Sequence, residues 1–473
     1  MNRTRRLCVA ALAVLLAALA GRAGAQEPPR EGGLRLYEEE LRVRMDEQGL
    51  DARDTGVDGG GWFNFAYYHF DDASTRRDRT LRQFEVRAWA TANIEGVHKA
   101  YVRGLVGWED WNSGDNDYRG DRYHHPTVER AWYQFDLGQL LKNQSGLPPP
   151  ADLRVKVGRE YVSIGTGLVL AMPLDMVQIN AKGGHWEAMA ILGQTIDDSR
   201  NIDNSSAVYD HQDRCLWAGQ VTYTGLDHHR PFAYFLAQQD RTGPRPVGDP
   251  NQGYGYSSRY LGLGSTGTLA VSGLRYRTEL VWESGETVSN GVGPGRGTDE
   301  ICAWGLDAML EYLWNTQTRP RFMVEYLFGS GDADRSGSAT ATVGGNREGT
   351  TDHAFNTFGY RDTGIAFAPD LSNLSIYAAG AAFQPLEHIA AFRKMTVGTK
   401  AFFYQKAEPR GALSDPTGTG HSSWVGWEWD AYCDWRLTSD FSWTIRYGAF
   451  FPGEAFTDQT CRQFLFTAIT FSF

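Results

Sequence analysis

Near the end of the chain, apolar and polar side chains alternate with a period of two residues. In VGWEWDAYCDWRL, which begins at Val425, every odd-numbered position is apolar, whereas Glu428, Asp430 and Arg436 lie among the even-numbered ones. Successive side chains of a β-strand point to opposite faces, so the pattern predicts a strand with one apolar and one polar face. FSWTIRYGAFFPG, which begins at Phe441, repeats the pattern after the short turn LTSD and so predicts a hairpin.

The same alternation recurs through the chain, in RQFEVRAWATANI, VERAWYQFDL, LRVKVGRE, LRYRTELVWESG, WGLDAMLEYLW and RFMVEYLFGSGD. Such segments have the length of about 9 to 11 residues that a tilted strand needs to cross a bilayer. From Gln26 onward, charged or polar residues interrupt every apolar stretch before it could form a spanning helix. We therefore expect an all-β fold: a transmembrane antiparallel up-and-down β-barrel of about 16 to 18 strands.

Short and long connections alternate between the predicted strands. LTSD, NTQTRP and GLDHHRP are short and predict periplasmic turns. Gly329 to Asn373, Asp197 to Arg214 and Gly138 to Asp152 are longer and rich in glycine, serine and acidic or amide residues, which predicts extracellular loops.

The last ten residues, FLFTAITFSF, end on Phe473 without a turn or a polar tail. We expect this final strand to pair with the first one, since a closed sheet has no unpaired edge. The aromatic end resembles the signal that the outer-membrane barrel assembly machinery recognises, so that machinery and outer-membrane lipid are expected partners.

The N-terminal residues have the features of a secretory leader. Three arginines among the first six residues precede an apolar run from Leu7 to Ala20, and Ala23-Gly24-Ala25 fits a cleavage site. We expect residues 1–25 to be a signal peptide, 26–58 a charged periplasmic segment and 59–473 the barrel. The expected location is the outer membrane of a Gram-negative-type bacterium.

Composition agrees with a barrel. The chain has 15 Trp, 22 Tyr and 24 Phe among 473 residues, although 22% of its residues are charged. Lipid-facing aromatics together with a polar lumen give such a balance. A soluble secreted β-protein is the alternative, but the five cysteines include no CxxC pair and are too few for a disulfide scaffold.

Several short motifs resemble one family. VGREYVSIGTGLVL, LDMVQINAKGGHWEAMAILG, EYLFGSGDADRS, HAFNTFGYRDTG, AAFQPLEHIAAFRK, WVGWEWDAY and YGAFFPGEAF are similar to segments of the alginate-export family of outer-membrane barrels. The resemblance covers Arg154 to Phe473, with Glu160 where that family often has glutamine. It implies an 18-stranded, monomeric pore that exports a polyanionic polysaccharide through an arginine-rich constriction narrowed by inward-folded loops.

Lumen positions assigned from the alternation carry both signs of charge, with Glu85, Asp136, Glu279, Asp307 and Glu325 among the acidic ones. Each basic side chain could contact a polyanion or be neutralised by a cross-strand carboxylate. We select Arg154, Lys156 and Arg159 as the first candidates for the selectivity region because they are the densest basic cluster. The other candidates for the substrate pathway are Arg87, Arg103, Arg130, Arg275, Arg277, Lys400 and Arg446.

The long connection from Gly329 to Asn373 allows two interpretations. Its glycine and serine content favours a mobile extracellular loop, whereas HAFNTFGYRD favours a constriction folded into the lumen. In the second case His353, Tyr360 and Arg361 are the candidate constriction residues.

The function expected from these features is a passive outer-membrane channel for an anionic exopolysaccharide, an alginate-like polyuronate, handed over by periplasmic secretion components. A general or substrate-specific diffusion porin for small solutes is the alternative. No GxSxG motif occurs and the 11 histidines are scattered, so we expect no enzyme, no catalytic residue and no cofactor or metal. We also expect no nucleic-acid partner.

Overall fold

The computed structural model describes residues 55–72, 77–115, 121–196, 199, 201–205, 212–242, 255–288, 298–335, 337–342 and 345–473. The expected signal peptide and nearly all of the expected periplasmic segment lie outside these residues. The first strand begins at Gly56, slightly before the expected start of the barrel at residue 59.

The fold is a closed antiparallel barrel of 18 strands, which confirms the predicted fold class. Among the described residues, no helix has the length and hydrophobicity required to cross a membrane. The one α-helix described, α1, spans Leu137–Ser145, and a short 3-10 helix spans Ala390–Phe392. The strands are β1 Gly56–Asp72, β2 Arg77–Ile94, β3 His98–Trp111, β4 Arg122–Asp136, β5 Ala151–Ile164, β6 Leu170–Gly183, β7 Trp186–Thr195, β8 Arg214–Tyr223, β9 His229–Asp240, β10 Tyr256–Thr268, β11 Leu274–Val288, β12 Thr298–Leu313, β13 Arg321–Gly329, β14 Leu374–Phe383, β15 Met395–Lys406, β16 Trp424–Arg436, β17 Phe441–Pro452 and β18 Arg462–Ser472.

Each strand pairs with its neighbours in sequence, and β18 closes the barrel against β1. Trp62 lies opposite Ser472 in this ladder, and Gly61 and Phe473 exchange two backbone hydrogen bonds of 2.9 Å. The C-terminal aromatic residue therefore lies within the hydrogen-bonded sheet. The ladder satisfies backbone groups that lipid could not.

The outer face of the barrel is mostly apolar, with two bands of aromatic side chains. Near one end of the strands, Trp108 contacts Tyr123 and Trp427 stacks on Phe451 at a centroid distance of 4.4 Å. Near the other end are the lipid-facing clusters Trp186 with Tyr223, Tyr312 with Trp314 and Phe322, and Trp435 with Trp443. Aromatic girdles at both membrane interfaces are typical of outer-membrane barrels.

The connections separate into two ends. One end, which we call the turn end, carries short connections such as 95–97, 184–185 and 437–440, and includes the three predicted turns. The opposite end, the loop end, carries the longer connections, including 330–373. In outer-membrane barrels the short turns face the periplasm.

One predicted extracellular loop was wrong. The connection between β4 and β5, expected from Gly138 to Asp152, lies at the turn end, because strand direction alternates and this connection follows an even-numbered strand. Its length comes from α1, which is capped by the carboxylate of Asp136 accepting from the Gln139 N–H at 2.7 Å. The Asn143 amide donates to the Glu95 carbonyl of the adjacent turn at 2.9 Å, which fixes the helix at this end.

The division into a lipid face and a lumen face can be tested on β13. Val324 is 53% exposed on the lipid face, and its neighbour Met323 faces the lumen. We expect Val324→Arg to lower the free energy of unfolding by about 2–4 kcal/mol, because the guanidinium would lie in hydrocarbon. Equilibrium urea unfolding in phospholipid vesicles measures this loss. Met323→Arg is the matched control, and an equal loss for both variants would contradict the assignment of faces.

Candidate transport pathway

A buried ion-pair network covers the lumen wall of β2 to β5. Arg87 and Arg103 both donate to Glu129, at 3.0 Å and 2.9 Å, and Arg130 lies 3.2 Å from Glu160. The register of β3 and β4 shifts between Arg103 and the next residue, which leaves Glu129 as an extra residue in β4. This bulge turns adjacent residues of β4 toward the same network. Three predicted pathway arginines therefore lie on the lumen wall, but as neutralised and buried groups.

The expected cluster of Arg154, Lys156 and Arg159 is divided between the two faces of β5. Arg154 pairs with Asp136 at 3.0 Å, and Lys156 lies 4.4 Å from the ring centroid of Trp132, both on the lumen side. Arg159 lies on the outer face. It is three positions from Lys156, and an odd separation along a strand changes the face.

On that outer face, Arg159 pairs with Asp175 of β6 at 2.8 Å and donates to the Val128 carbonyl at 3.0 Å. Apolar Val157 and Val177 lie next to this pair on the lipid side. The Arg159 guanidinium therefore lies outside the lumen.

The remaining basic candidates face the lumen. Arg277 pairs with Asp307 at 2.8 Å and with Glu325, and Arg446 lies 3.7 Å from Asp434. Lys400 contacts Asp362, and Arg275 is exposed near the turn end of β11.

The connection between β13 and β14 enters the lumen. We call its residues 352–371 the lumen segment. It begins along β12, where the Cys302 backbone N–H donates to the Asp352 carbonyl at 2.8 Å. It then inserts Phe355 and Phe358 into an apolar cluster built from β5 to β12. Both rings are fully buried. Residues 352–371 therefore fold into the barrel, and their role as a constriction stays a prediction.

Polar side chains on the wall fix the backbone of this first half. Glu283 accepts from the Asn356 N–H at 3.0 Å, and the Tyr260 hydroxyl donates to the Asn356 carbonyl at 2.6 Å. Further along, Ala171 donates to the Phe358 carbonyl at 3.1 Å, so the segment also pairs with the start of β6. The backbone groups of this segment lose contact with water when it enters the packed lumen. Each of these hydrogen bonds gives one such group a new partner.

The second half of the lumen segment crosses to the opposite wall. Glu428 of β16 accepts three backbone hydrogen bonds, from the N–H groups of Ile365, Ala366 and Phe367, at 2.6, 2.7 and 2.9 Å. Phe367 stacks on Phe450 with a centroid distance of 4.3 Å. Ile365 belongs to a further apolar cluster formed by β1, β2 and β18. The segment is thus attached on both sides of the barrel.

The three candidate constriction residues have different positions. Arg361 lies within the lumen, 2.8 Å from Asp307 and in contact with the Thr166 hydroxyl. Tyr360 packs beside it, and its N–H donates to the Gly167 carbonyl at 3.1 Å. His353 instead lies exposed near the loop end, where its Nδ1 is 2.7 Å from the Cys302 carbonyl oxygen.

Asp362 continues the charged part of the lumen segment. Burial acts to raise the pKa of Asp362, but the Lys400 ammonium in contact with it holds that pKa below its ordinary value. The ion pair therefore persists at neutral pH and attaches the segment to β15.

Sequence analysis missed several basic residues at the turn end. Lys182, Arg230 and Arg321 face the lumen there, paired with Glu187 or Glu311 at the wall. The alternation could have predicted that Arg321 faces the lumen. Phe322 and Val324 belong to the predicted outward face, so the residue directly before Phe322 points inward. The other two lie at strand ends, where a pattern of alternation has too few positions to assign a face.

Comparison with known proteins gives one family and one fold. A family model described as alginate export matches residues 175–466. The chain is similar in fold to OccK11 (OpdR), OccK5 (OpdH) and OccK8 (OprE) of Pseudomonas aeruginosa, with TM-scores of 0.53, 0.52 and 0.51. Identities are 11%, 11% and 10%, over 90%, 88% and 88% of this chain and 99%, 98% and 98% of those chains, so the likeness concerns the fold alone. A search of curated proteins found no match.

The attachment of the lumen segment to Glu428 can be tested by Glu428→Ala. The variant leaves three buried N–H groups without an acceptor, at a cost of about 1–3 kcal/mol each. We expect the segment to detach, with a higher single-channel conductance and faster proteolysis between residues 352 and 371. Glu311→Ala, which removes a lumen carboxylate at the turn end, is the control. Unchanged conductance and proteolysis in Glu428→Ala would show that these bonds do not hold the segment.

Proposed function

Because the chain belongs to the alginate export family, we propose that it is a passive channel that exports an anionic polysaccharide, an alginate-like polyuronate, across the outer membrane. The family match spans residues 175–466, and the closed barrel supplies the membrane-spanning wall. The family and the barrel locate the chain in the outer membrane, in contact with its lipid. They also favour a channel over an enzyme.

The observation that carries the proposed charge of the cargo is an asymmetry within three of the lumen ion pairs. In other pairs, such as Arg103 with Glu129, the carboxylate is the more exposed partner. The Arg277 side chain is 26% exposed, whereas its partner Asp307 is fully buried. At the turn end, Arg154 is 50% exposed against 12% for Asp136, and Arg321 is 47% exposed against 19% for Glu311. The side chains that reach water in these pairs are therefore the basic ones.

This asymmetry matters because a hydrated polymer contacts what is exposed. A buried carboxylate that is already bonded to the wall has little room for a further ligand, whereas an exposed guanidinium retains donors for a second anion. Exposed arginine and lysine side chains around a pore select anions. The exposed ends of Arg277 and Lys400, with Arg361 beside them in the lumen segment, would form the electropositive constriction.

Transport through such a channel needs no energy source in the barrel itself. The carboxylates of the polymer would pair in turn with the basic side chains at the turn end and then with those beside the lumen segment. Each contact is exposed and therefore weak, so that the polymer leaves each site as readily as it arrives. Periplasmic secretion components would present the polymer to the turn end, and the barrel assembly machinery would insert the chain.

A second candidate function is diffusion of small solutes. The observation that favours it is the lumen segment, which is attached to β12 and β6 on one side and to β15 and β16 on the other. A peptide that crosses the lumen narrows the passage for a polymer more than for a small anion. Blocking by a polymer therefore separates the two candidates.

The reversal potential in a planar bilayer under a salt gradient tests the proposed function, with and without a hexameric oligouronate. We expect anion preference and blocking of the current by the oligouronate. Replacing Arg154, Lys156 and Arg321 together by Gln should lower the anion-to-cation permeability ratio by about twofold or more, because local counter-ion concentration follows the exposed charge.

Arg159→Gln is the matched control for charge removal. The Arg159 side chain belongs to the same strand but lies on the outer face, so we expect no change in selectivity. Cation preference of the wild-type channel would contradict the proposed export of a polyanion. Anion preference with a current indifferent to the oligouronate would favour the diffusion channel instead.

A further inference from the structure

Three aromatic side chains form a row on the lumen wall near the turn end. Trp89 of β2, Tyr101 of β3 and Trp132 of β4 lie on consecutive strands, on the same face as Arg103 and Lys156. The ring centroids of Trp89 and Tyr101 are 6.3 Å apart with planes at 16°, and those of Tyr101 and Trp132 are 5.7 Å apart with planes at 18°. We call these three rings the aromatic row.

The aromatic row differs from the buried lumen aromatics among the described residues. Phe355, Phe358 and Tyr260 are buried in clusters that the lumen segment completes, whereas the three rings of the row are partly exposed and belong to none of those clusters. They also cannot anchor the barrel in lipid, as the outer girdles do, because they face inward. Exposed apolar surface on an aqueous wall commonly marks a binding site.

The polar groups beside the aromatic row include an ammonium, a carboxylate and amides. The Lys156 Nζ lies 4.4 Å from the Trp132 ring centroid and 3.2 Å from the Glu160 carboxylate. Gln134 and Gln178 occupy the cross-strand positions on either side of Lys156, and Gln178 donates to Asn180 at 3.1 Å. A line of amide donors and acceptors thus borders the rings.

We propose that the aromatic row is a stacking platform for the pyranose rings of a saccharide chain. A pyranose presents C–H groups on its faces, which match the negative face of an aromatic ring, and hydroxyl groups at its edge, which suit the amides of Gln134 and Gln178. A carboxylate on the sugar suits the Lys156 ammonium. The row would bind a neutral saccharide as well, so only the preference for an acidic one rests on the proposed function.

The arrangement also fits movement of a chain. The three rings lie on neighbouring strands with nearly parallel planes, so that successive sugar rings meet similar surfaces at similar spacing. Stacking has no strict directional requirement, and a chain can slide from one ring to the next without leaving all its contacts. Multiple weak sites of this kind allow a polymer to be guided without being retained.

Single-channel recording of the full-length protein in planar bilayers tests this platform with two probes, neutral maltohexaose and a hexameric oligouronate. We expect both to block the wild-type channel when added at the turn end. The double variant Trp89→Ala with Trp132→Ala should shorten the mean blocking time of both probes by about three- to tenfold. Lys156→Gln should shorten only that of the oligouronate.

Conservative and lipid-facing variants separate stacking from structural effects. Trp89→Phe with Trp132→Phe keeps aromatic faces and should retain most of the blocking time. Trp186→Ala removes a ring of the outer girdle at the same end and should leave blocking unchanged. Only folded channels conduct, so a lower yield of a variant does not affect its blocking time.

The outcomes distinguish this inference from the proposed function. An unchanged maltohexaose blocking time in the double alanine variant overturns the platform, and so does a wild-type channel that neither probe blocks. Blocking by maltohexaose but not by the oligouronate supports the platform and contradicts export of a polyanion. If blocking by the oligouronate depends on Lys156 but not on the two tryptophans, the platform is overturned and export of a polyanion is supported.

Discussion

Backbone hydrogen bonding in an apolar solvent is the constraint on which this structure depends. Hydrocarbon offers no partner to an N–H or C=O group, so a sheet that spans a bilayer must close on itself. Here closure is made by β18 against β1, and the pairing continues to the last residue, Phe473. Once the sheet is closed, alternation gives every strand one face in lipid and one in the lumen. The two aromatic girdles and the charged lumen wall are consequences of that division.

The same constraint shapes the lumen segment. A segment that folds into a packed barrel loses its hydrogen bonds to water and must replace them. Residues 352–371 do so mainly with hydrogen bonds to side chains of the barrel wall. Glu283 and Glu428 bind backbone N–H groups on opposite sides, while Arg361 and Asp362 pair with wall residues of opposite charge. Many acidic residues of the lumen therefore have a structural role as acceptors. They are buried by that role, which leaves the basic side chains of several pairs as the ones in contact with water.

The lumen wall differs in character between the turn end of the barrel and the level of the lumen segment. The turn end presents exposed arginine and lysine side chains together with the aromatic row, and the proposed binding of a charged saccharide rests on this combination. The lumen segment lies beyond it and is attached to opposite walls of the barrel. The buried network of Arg87, Arg103 and Glu129 holds the wall in place but offers few free donors. The formal charge of a lumen residue is thus a poor guide to its function unless the exposure of its side chain is also known.

The sequence by itself determined the fold class, the approximate strand count and the faces of most strands, because a period of two is a local property that each segment carries in its own residues. It also determined that Arg87, Arg277 and Lys400 face the lumen. Only the tertiary structure decided which charges are neutralised, since partners such as Glu129 and Asp362 come from other strands or from a long connection. It also decided that residues 352–371 fold inward and that Arg159 pairs with Asp175 of β6. The opposite faces of Arg159 and Lys156 were already contained in the alternation, because an odd separation along a strand changes the face. Contacts between residues far apart in the chain leave no periodic signal, and for that reason the pathway could be outlined from sequence but its exposed, accessible charges could not.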